Sequence, residues 1–579
     1  MAPILNKKPI AAPSYPEASV GPIQATATVV IHPGSMFLRI GRASDTIPHT
    51  IPHVIARRRK TVGAVVYEDP ILIPTVDVDP EAQKVMEETR VSVTRVLSSC
   101  LTSEGQHRHP VSSEKIQEYN RVVKPKILAG SCDLHWTKVD INQEFMIGEE
   151  VLYLNPSEKF NVHWPIRRGR FNLHPGAGGT LTSVLSDLEV IWGNCIQQYL
   201  DIPLKDLKHY GAVLVVPDVY DRQHVKETVN LLLNRLCFSR CFIHLESVCA
   251  TFGAGLSYAC VVDVGDQKTV VSCVEDGISH GETRLCMEYG GSDVTQLFHF
   301  LLKKCGFPWK DCNPSRRTDS LLLQELKENL CHINLDIFGI QERAFQIKQP
   351  ELPLLQYKIK VGDDCLVAPL GYFHPELFAL TGTKKVCTLQ RSRGDPEDPH
   401  DEDYLLLTQR RGAKDMTDGG QAELGTQNED SQLGSSLLDD EMDTNETAPS
   451  VTLQETEREL QCDQLLGVDQ AIIQSIDRCD SDDLKRKMFS CILVVGGGLL
   501  FSGVETWLYN RLSMQIPILY RGEQLDIITQ PKDMDPRITS WKGAAIMSCL
   551  DTAQELWIRQ GEWQRFGVRM LRERAPFTW

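Results

Sequence analysis

Val261-Val262-Asp263-Val264-Gly265-Asp266-Gln267-Lys268-Thr269 reads as an apolar strand, a tight glycine turn and the start of a returning strand. Far downstream, Cys491-Ile492-Leu493-Val494-Val495-Gly496-Gly497-Gly498 reads as a buried strand running into a second glycine turn, with a helix-like stretch over 504–512 behind it. Glycines let backbone N–H groups approach phosphates closely, and an aspartate beside them can hold water around a bound Mg²⁺. Each segment alone is common in α/β proteins. Together, and in this order, they read as two halves of one nucleotide clamp.

The pattern around them is that of a sheet protein with helical faces. Residues 26–40 alternate and turn at His32-Pro33-Gly34-Ser35, which predicts a strand–turn–strand. Helices are predicted over 81–100, 113–122, 181–200 and 224–236, and short strands and turns over 145–172. Residues 212–217 form a fully apolar strand, and 241–245 another that leads into a helix through Phe252. Further helices fall at 292–305, 320–330, 467–477 and 482–488, with a long amphipathic stretch over 543–559. Strands alternating with helices predict a largely parallel sheet covered on its faces. Trp192, Trp507, Trp541 and Trp557 lie on apolar faces and are assigned to the core.

At 579 residues the chain has room for about two to four domains. The net charge of −16 excludes a uniformly basic nucleic-acid binder, but 19 acidic against 6 basic side chains in 391–460 supply most of it. Residues 391–462 have few aromatics and no sustained period, and are read as a disordered acidic insertion. The 18 cysteines include no C-x-x-C pair, and many sit inside apolar runs (Cys237, Cys260, Cys273, Cys491). That usage fits a reducing compartment, cytosol or nucleus. No stretch is apolar for long enough to predict a membrane span, and the N-terminus lacks the apolar core of a signal peptide. His107 and His109, in a polar loop without metal-like spacing, are read as surface imidazoles.

Five collinear blocks resemble the actin family: residues 30–41, 217–255, 263–271, 494–501, and Ile538-Thr539-Ser540-Trp541-Lys542-Gly543 through Trp557-Ile558. Supporting blocks are Gly290-Gly291-Ser292-Asp293, Lys327-Glu328-Asn329-Leu330-Cys331 and His374-Pro375-Glu376-Leu377-Phe378. The resemblance implies the α/β actin-like ATPase fold, two duplicated ribonuclease H-like halves around a nucleotide cleft, here with large insertions. The implied organisation is a flexible tail over 1–24, a first half over 25–250 with a remodelled insertion at 65–147, and a second half over 251–579. The acidic insertion interrupts the second half, and residues 540–579 return to the first.

Carried over by position, Ser35, Met36 and Arg39 would approach the β- and γ-phosphates of ATP. Asp263, Val264, Gly265 and Asp266 would face them from the other side, with Asp263 near Mg²⁺ through water. Gly291, Lys327 and Glu328 would flank the ribose and adenine, and Gly496, Gly497 and Phe501 would close the base pocket. The alternative is that these glycines only permit tight turns, since a fold can persist without its site. The departures fall on hydrolysis. His32 stands where the family has a metal-ordering Asp, Met36 where it has a Gly, Glu246 in place of a water-orienting Gln, and Val270 in place of a His; Arg39 replaces a Lys. Hydrolysis needs a positioned nucleophile and balanced charge. An ionised Glu246 could serve as a base but would repel the γ-phosphate. The expectation is ATP binding with weak or no turnover.

The additions and the His-Pro hairpin narrow the resemblance to the nuclear actin-related proteins of chromatin remodellers. It implies a scaffold subunit that meets a remodeller scaffold helix, actin and other actin-related subunits. It also implies contacts with nucleosomes, histones or linker DNA, and roles in transcription, recombination and DNA repair. The acidic insertion and the altered 65–147 region oppose filament formation. Rival readings are an active ATPase or sugar kinase of the same superfold, and a cytoskeletal actin-binding protein. Arg57-Arg58-Arg59-Lys60 is read either as a nuclear localisation or phosphate-contact cluster or as solvated charge. Arg167-Arg168-Gly169-Arg170, with Lys124 and Lys126, is read as solvated surface ahead of a DNA-facing patch.

Overall fold

The computed structural model describes residues 24–60, 66–109, 111, 113–131, 134–389, 465–521 and 524–577. The 391–462 insertion and all of the 1–24 tail but Gln24 lie outside them. Two sheets of the same plan form the frame. In the first, the order is Ile558–Arg559, Arg240–Leu245, Gly211–Val216, Thr28–Pro33, Phe37–Arg42, His49–Pro52. In the second it is Val386–Cys387, Leu285–Met287, Thr269–Glu275, Tyr258–Val264, Cys491–Val495, Asp526–Ile528. Each has an antiparallel hairpin extended by a third antiparallel strand on one side and by two parallel strands on the other. This internal duplication is the actin-like ATPase fold.

The parallel strands Gly211–Val216 and Cys491–Val495 are buried at every residue. A strand covered on both faces must be apolar throughout, which is why both stand out in the sequence as uninterrupted runs. Helices Glu246–Ala254 and Thr539–Ser548 cross at backbone contact: a Cβ on Gly543 would lie 1.7 Å from the Cys249 carbonyl oxygen, and one on Gly253 would lie 2.2 Å from that of Thr539. Trp541, fully buried, donates its indole N–H to the Val30 carbonyl at 3.2 Å, so this C-terminal helix braces the first hairpin.

The 543–559 stretch does not form one amphipathic helix. The helix ends at Ser548, a 3₁₀ turn covers Asp551–Leu556, and Ile558–Arg559 becomes an edge strand on Arg240–Leu245. Tertiary packing overrides the local period here. Trp557 is buried against Phe242 at 5.6 Å and under the Arg240 guanidinium at 4.8 Å, which draws the chain straight.

Residues 73–131, in the segment read as an insertion, pack onto residues 292–381. Helix Pro80–Ser99 lies against the helices Asp364–Leu370 and Pro375–Thr381. Strand Lys126–Ser131 adds an antiparallel edge to the hairpin Gln341–Ile347/Pro353–Val361. Buried Asn120 donates to the Cys305 and Lys360 carbonyls at 2.9 Å each and accepts from the Lys360 N–H at 2.8 Å. Arg108 donates to the carbonyl of Leu335 and to Asp363, and Ile73 exchanges bonds with Ser292 and Gln296. These contacts make residues 73–131 a strap onto residues 292–381.

Candidate functional site

The two glycine segments quoted first meet at the ends of adjacent parallel strands. Asp263 is in register with Val495, and the Gly498 N–H donates to the Val264 carbonyl at 2.7 Å. Gly496 has φ +87°, and a Cβ there would lie 2.3 Å from the Val264 oxygen and 2.6 Å from Asp263 Oδ1. No L side chain fits that conformation and space together. On its other flank the turn is held by the next helix: Gly291 N–H donates to Gly265 O at 3.1 Å and Ser292 N–H to Asp266 O at 2.8 Å. Asp263, Val264, Gly265, Asp266, Gly291, Gly496 and Gly497 are thus gathered at one edge of the second sheet. Lys327 is buried beside them, its Nζ 3.4 Å from the Gly291 carbonyl. Glu328 is exposed on the same helix, and half-buried Phe501 precedes helix Val504–Gln515.

The first hairpin turns through Gly34, whose N–H donates to Phe37 O at 2.9 Å. Ser35 Oγ accepts from the Gly169 N–H at 3.3 Å. The Met36 side chain is buried in a cluster with Val54, Ala56 and Trp164, so only its backbone can face the cleft. Behind the turn, neutral His53 donates from Nδ1 to the Gly34 carbonyl at 2.9 Å and accepts at Nε2 from Trp192 at 3.2 Å. Burial lowers this imidazole to about 4. Sequence reasoning missed His53; its only local signal is an imidazole one residue past a Pro turn.

Between the hairpins lies a buried charge group. Glu246 opens helix Glu246–Ala254; its Oε1 is 3.3 Å from His32 Nε2 and its Oε2 is 2.5 Å from Lys268 Nζ. Burial alone would raise the Glu246 carboxyl, but the Lys268 charge and the bond from His32 outweigh it and bring it down to about 2. His32 is lowered by burial and is therefore a neutral donor. Asp263 moves the other way, raised to about 7 by burial and by the charge of Glu246, against Lys268 and Arg39. Val270 is buried within the second sheet. Lys268, absent from the residues picked out of the sequence, answers the charge that Glu246 would otherwise turn on an anion. A carboxylate held near 2 is also a poor proton acceptor at neutral pH.

Four buried polar atoms around these turns have no hydrogen-bond partner within the described chain: His32 Nδ1, Arg39 Nε, Asp266 Oδ2 and Tyr372 OH. Each such group costs about 1–3 kcal/mol unless something bonds it. A Cβ on Gly498 would reach 2.8 Å from that Tyr372 oxygen. Donors, glycine backbone and unpaired groups converge on one cleft.

Four arginines of the basic runs are used internally, while Lys60, Lys124, Lys126 and Arg170 are exposed. Arg57 pairs with Asp187, Arg58 donates to the carbonyls of Gln143 and Asp140, and Arg167 and Arg168 donate to those of Pro70 and Glu288. One trio of potential metal ligands comes together among the described residues, Asp69, His163 and His174. Asp69 accepts from Tyr67, Trp164 and Asn172, and His174 Nδ1 accepts from the Gly176 N–H at 3.1 Å. Those bonds, with Tyr67 stacked 4.5 Å from His174, make the trio a structural knot. Among the described residues, no helix is long and apolar enough to cross a membrane.

The actin family model matches residues 23–576. Actin-related protein 8 of Bos taurus is 49% identical, over 96% of this chain and 93% of that protein. The Homo sapiens protein of that name is 48% identical over the same shares, and that of Aedes aegypti 46%, over 96% of this chain and 98% of its own. A solved structure, human actin-related protein Arp8 in its ATP-bound state, superposes with a TM-score of 0.82 at 44% identity, covering 98% of this chain and 100% of that one. With the duplicated sheets, the paired hairpins and the glycine turn in their places, the chain belongs to the actin family.

Proposed function

We propose that this chain is a non-polymerising nuclear actin-related subunit that serves as a scaffold in a chromatin-remodelling complex and holds ATP as a structural ligand. One observation carries the reading: the hairpins and the glycine turn converge, while Glu246, at the position of a water-orienting amide, is charge-paired with Lys268 and hydrogen-bonded by neutral His32. Binding groups are kept, and the groups that would activate water are replaced. The glycine cradle and the four unpartnered atoms fit a nucleotide. Arg39 offers positive charge to its phosphates, Lys327 flanks the ribose and adenine with Gly291 and Glu328, and Asp263 offers a carboxylate to the waters of Mg²⁺. When bound, ATP would supply a metal-bridged polyanion that ties the hairpins together, and ligand bound to the native state stabilises it by mass action.

The strap from the first half supports slow release, because opening the cleft would break the Asn120 and Arg108 bonds and the Lys126–Ser131 strand pairing. By the resemblance to actin, the altered 65–147 region is the one that would meet a filament neighbour. Nuclear placement, assembly with a remodeller scaffold helix, actin and other actin-related subunits, contact with nucleosomes, histones or linker DNA, and roles in transcription, recombination and repair rest on the likeness to actin-related protein 8. The test is the nucleotide content and phosphate production of the purified chain beside an Asp263→Ala control. Retained ATP with negligible turnover is expected. Fast turnover lost in the control would replace this reading with an active ATPase, and an empty, inactive chain would leave an interaction module without a nucleotide role.

A further inference from the structure

The Lys268 side chain is fixed from two directions. Its Nζ sits 2.5 Å from Glu246 Oε2, while the other oxygen of that carboxylate takes the bond from His32, at the end of the first hairpin's leading strand. Its stem runs against Gly169, where a Cβ would lie 2.8 Å from Lys268 Cδ and 3.4 Å from Nζ. The N–H of that same Gly169 donates to Ser35 Oγ in the turn of the first hairpin. The ammonium therefore lies in the gap between the two hairpins. The resemblance puts the base end of the cleft at the opposite side of the second hairpin, where the Gly498 and Gly291 N–H groups bond the Val264 and Gly265 carbonyls. An extended polyphosphate anchored at that end and reaching the first hairpin ends beside Lys268.

We propose that Lys268 is the residue that recognises the terminal phosphate, so that the cleft selects a nucleoside triphosphate over a diphosphate. This rests on the reading of the cleft as an ATP site. An ammonium has three N–H donors. One is held by Glu246, which fixes the stem and leaves two for phosphate oxygens. Glu246 is thus a positioning residue for Lys268, and the swap of a neutral amide for a carboxylate becomes intelligible as half of a pair. A compact point charge, unlike a planar guanidinium, does not demand one phosphate orientation.

The experiment measures ATP and ADP affinities separately on the nucleotide-stripped full chain, by calorimetry with Mg²⁺ present. A charge-assisted hydrogen bond of about 1.5–3 kcal/mol corresponds to roughly tenfold or more in affinity. Lys268→Met is expected to weaken ATP at least about tenfold and to leave ADP within about twofold, and Lys268→Arg to keep most of the preference. Because Lys268→Met strands a buried carboxylate, the neutral double variant Glu246→Gln/Lys268→Met provides the folded comparison, with the same loss of preference. A double variant that still prefers ATP as the parent does, that loses both nucleotides alike, or that fails to fold overturns the proposal. A parent chain that binds ADP and ATP equally overturns it while leaving nucleotide binding intact; one that binds neither removes the ATP reading itself.

Discussion

Acidification tests the support behind the first hairpin. His53 is fully buried, donates to Gly34 and accepts from Trp192, so a second proton would have to face the indole N–H. Burial lowers it from 6.5 to about 4, with the Gly34 bond opposing. A histidine lowered on folding binds fewer protons in the folded chain than in the unfolded one. Its contribution is therefore full above about pH 6.5 and is lost as pH falls toward 4. The whole gap is worth about 3.4 kcal/mol, and about 2 kcal/mol of it disappears between about pH 7 and pH 5. The assay is urea unfolding of the nucleotide-free chain at both pH values, for the parent and for His53→Gln. The glutamine keeps one donor and one acceptor but cannot titrate. Buried His244 and His299, also lowered, titrate in both proteins and cancel in the difference. The parent should lose about 2 kcal/mol more than the variant over that range. Equal losses would mean that His53 is hydrated or charged at neutral pH, and the Trp192–His53–Gly34 relay would fall with it.

Gly543→Ala should lower the melting temperature sharply, overpacking by about 1–3 kcal/mol or more against the Cys249 carbonyl 1.7 Å from the new Cβ. Gly561→Ala, in helix Gln560–Phe566 with open space around it, should be neutral or raise it, and a similar fall in both would refute the close-packing argument. Asn120→Ala removes three bonds of the strap and should speed both amide exchange in Pro353–Val361 and nucleotide release, read by hydrogen exchange and by chase with unlabelled ATP. Unchanged exchange would mean the strap carries no load. Glu246→Gln with Val270→His restores the amide and imidazole of the family pattern, and should raise phosphate release at least about tenfold over the parent. No gain would place the block elsewhere, His32 being the next position to restore.

What was legible in the sequence was local. The hairpin at Asp263, the strand into Gly496 and the helices 113–122 and 181–199 follow from runs of apolar residues, glycine turns and helical periods within one segment. Their collinearity with a known family then placed the cleft. What was not legible depends on residues brought together by the fold. Gln341–Ile347 reads as a polar run because its outer face is exposed; it pairs with 353–361, whose other edge takes 126–131 from the strap. Asp69, His163 and His174 have no spacing that a motif could carry. Met36 was placed at the phosphates by position, but its side chain turns into the core with Trp164. Arg57 and Arg58 looked like an exposed basic run, yet Asp187 and two carbonyls across the chain bind them.

Lys268 shows how such a pairing alters a conclusion about chemistry. Considered alone, an ionised Glu246 in a phosphate cleft is an obstacle to binding and a candidate base. Considered with Lys268, it is neither, because the pair is neutral overall and its carboxylate holds no proton to exchange near neutral pH. Asp263, whose charge opposes that of Arg39, differs: burial raises it to about 7. Removing one member of a buried ion pair is costly, whereas removing both to leave a neutral site is often tolerated. Glu246 and Lys268 hold each other whether or not an anion lies above them. That pairing separates retention of the fold from hydrolysis at the level of two side chains.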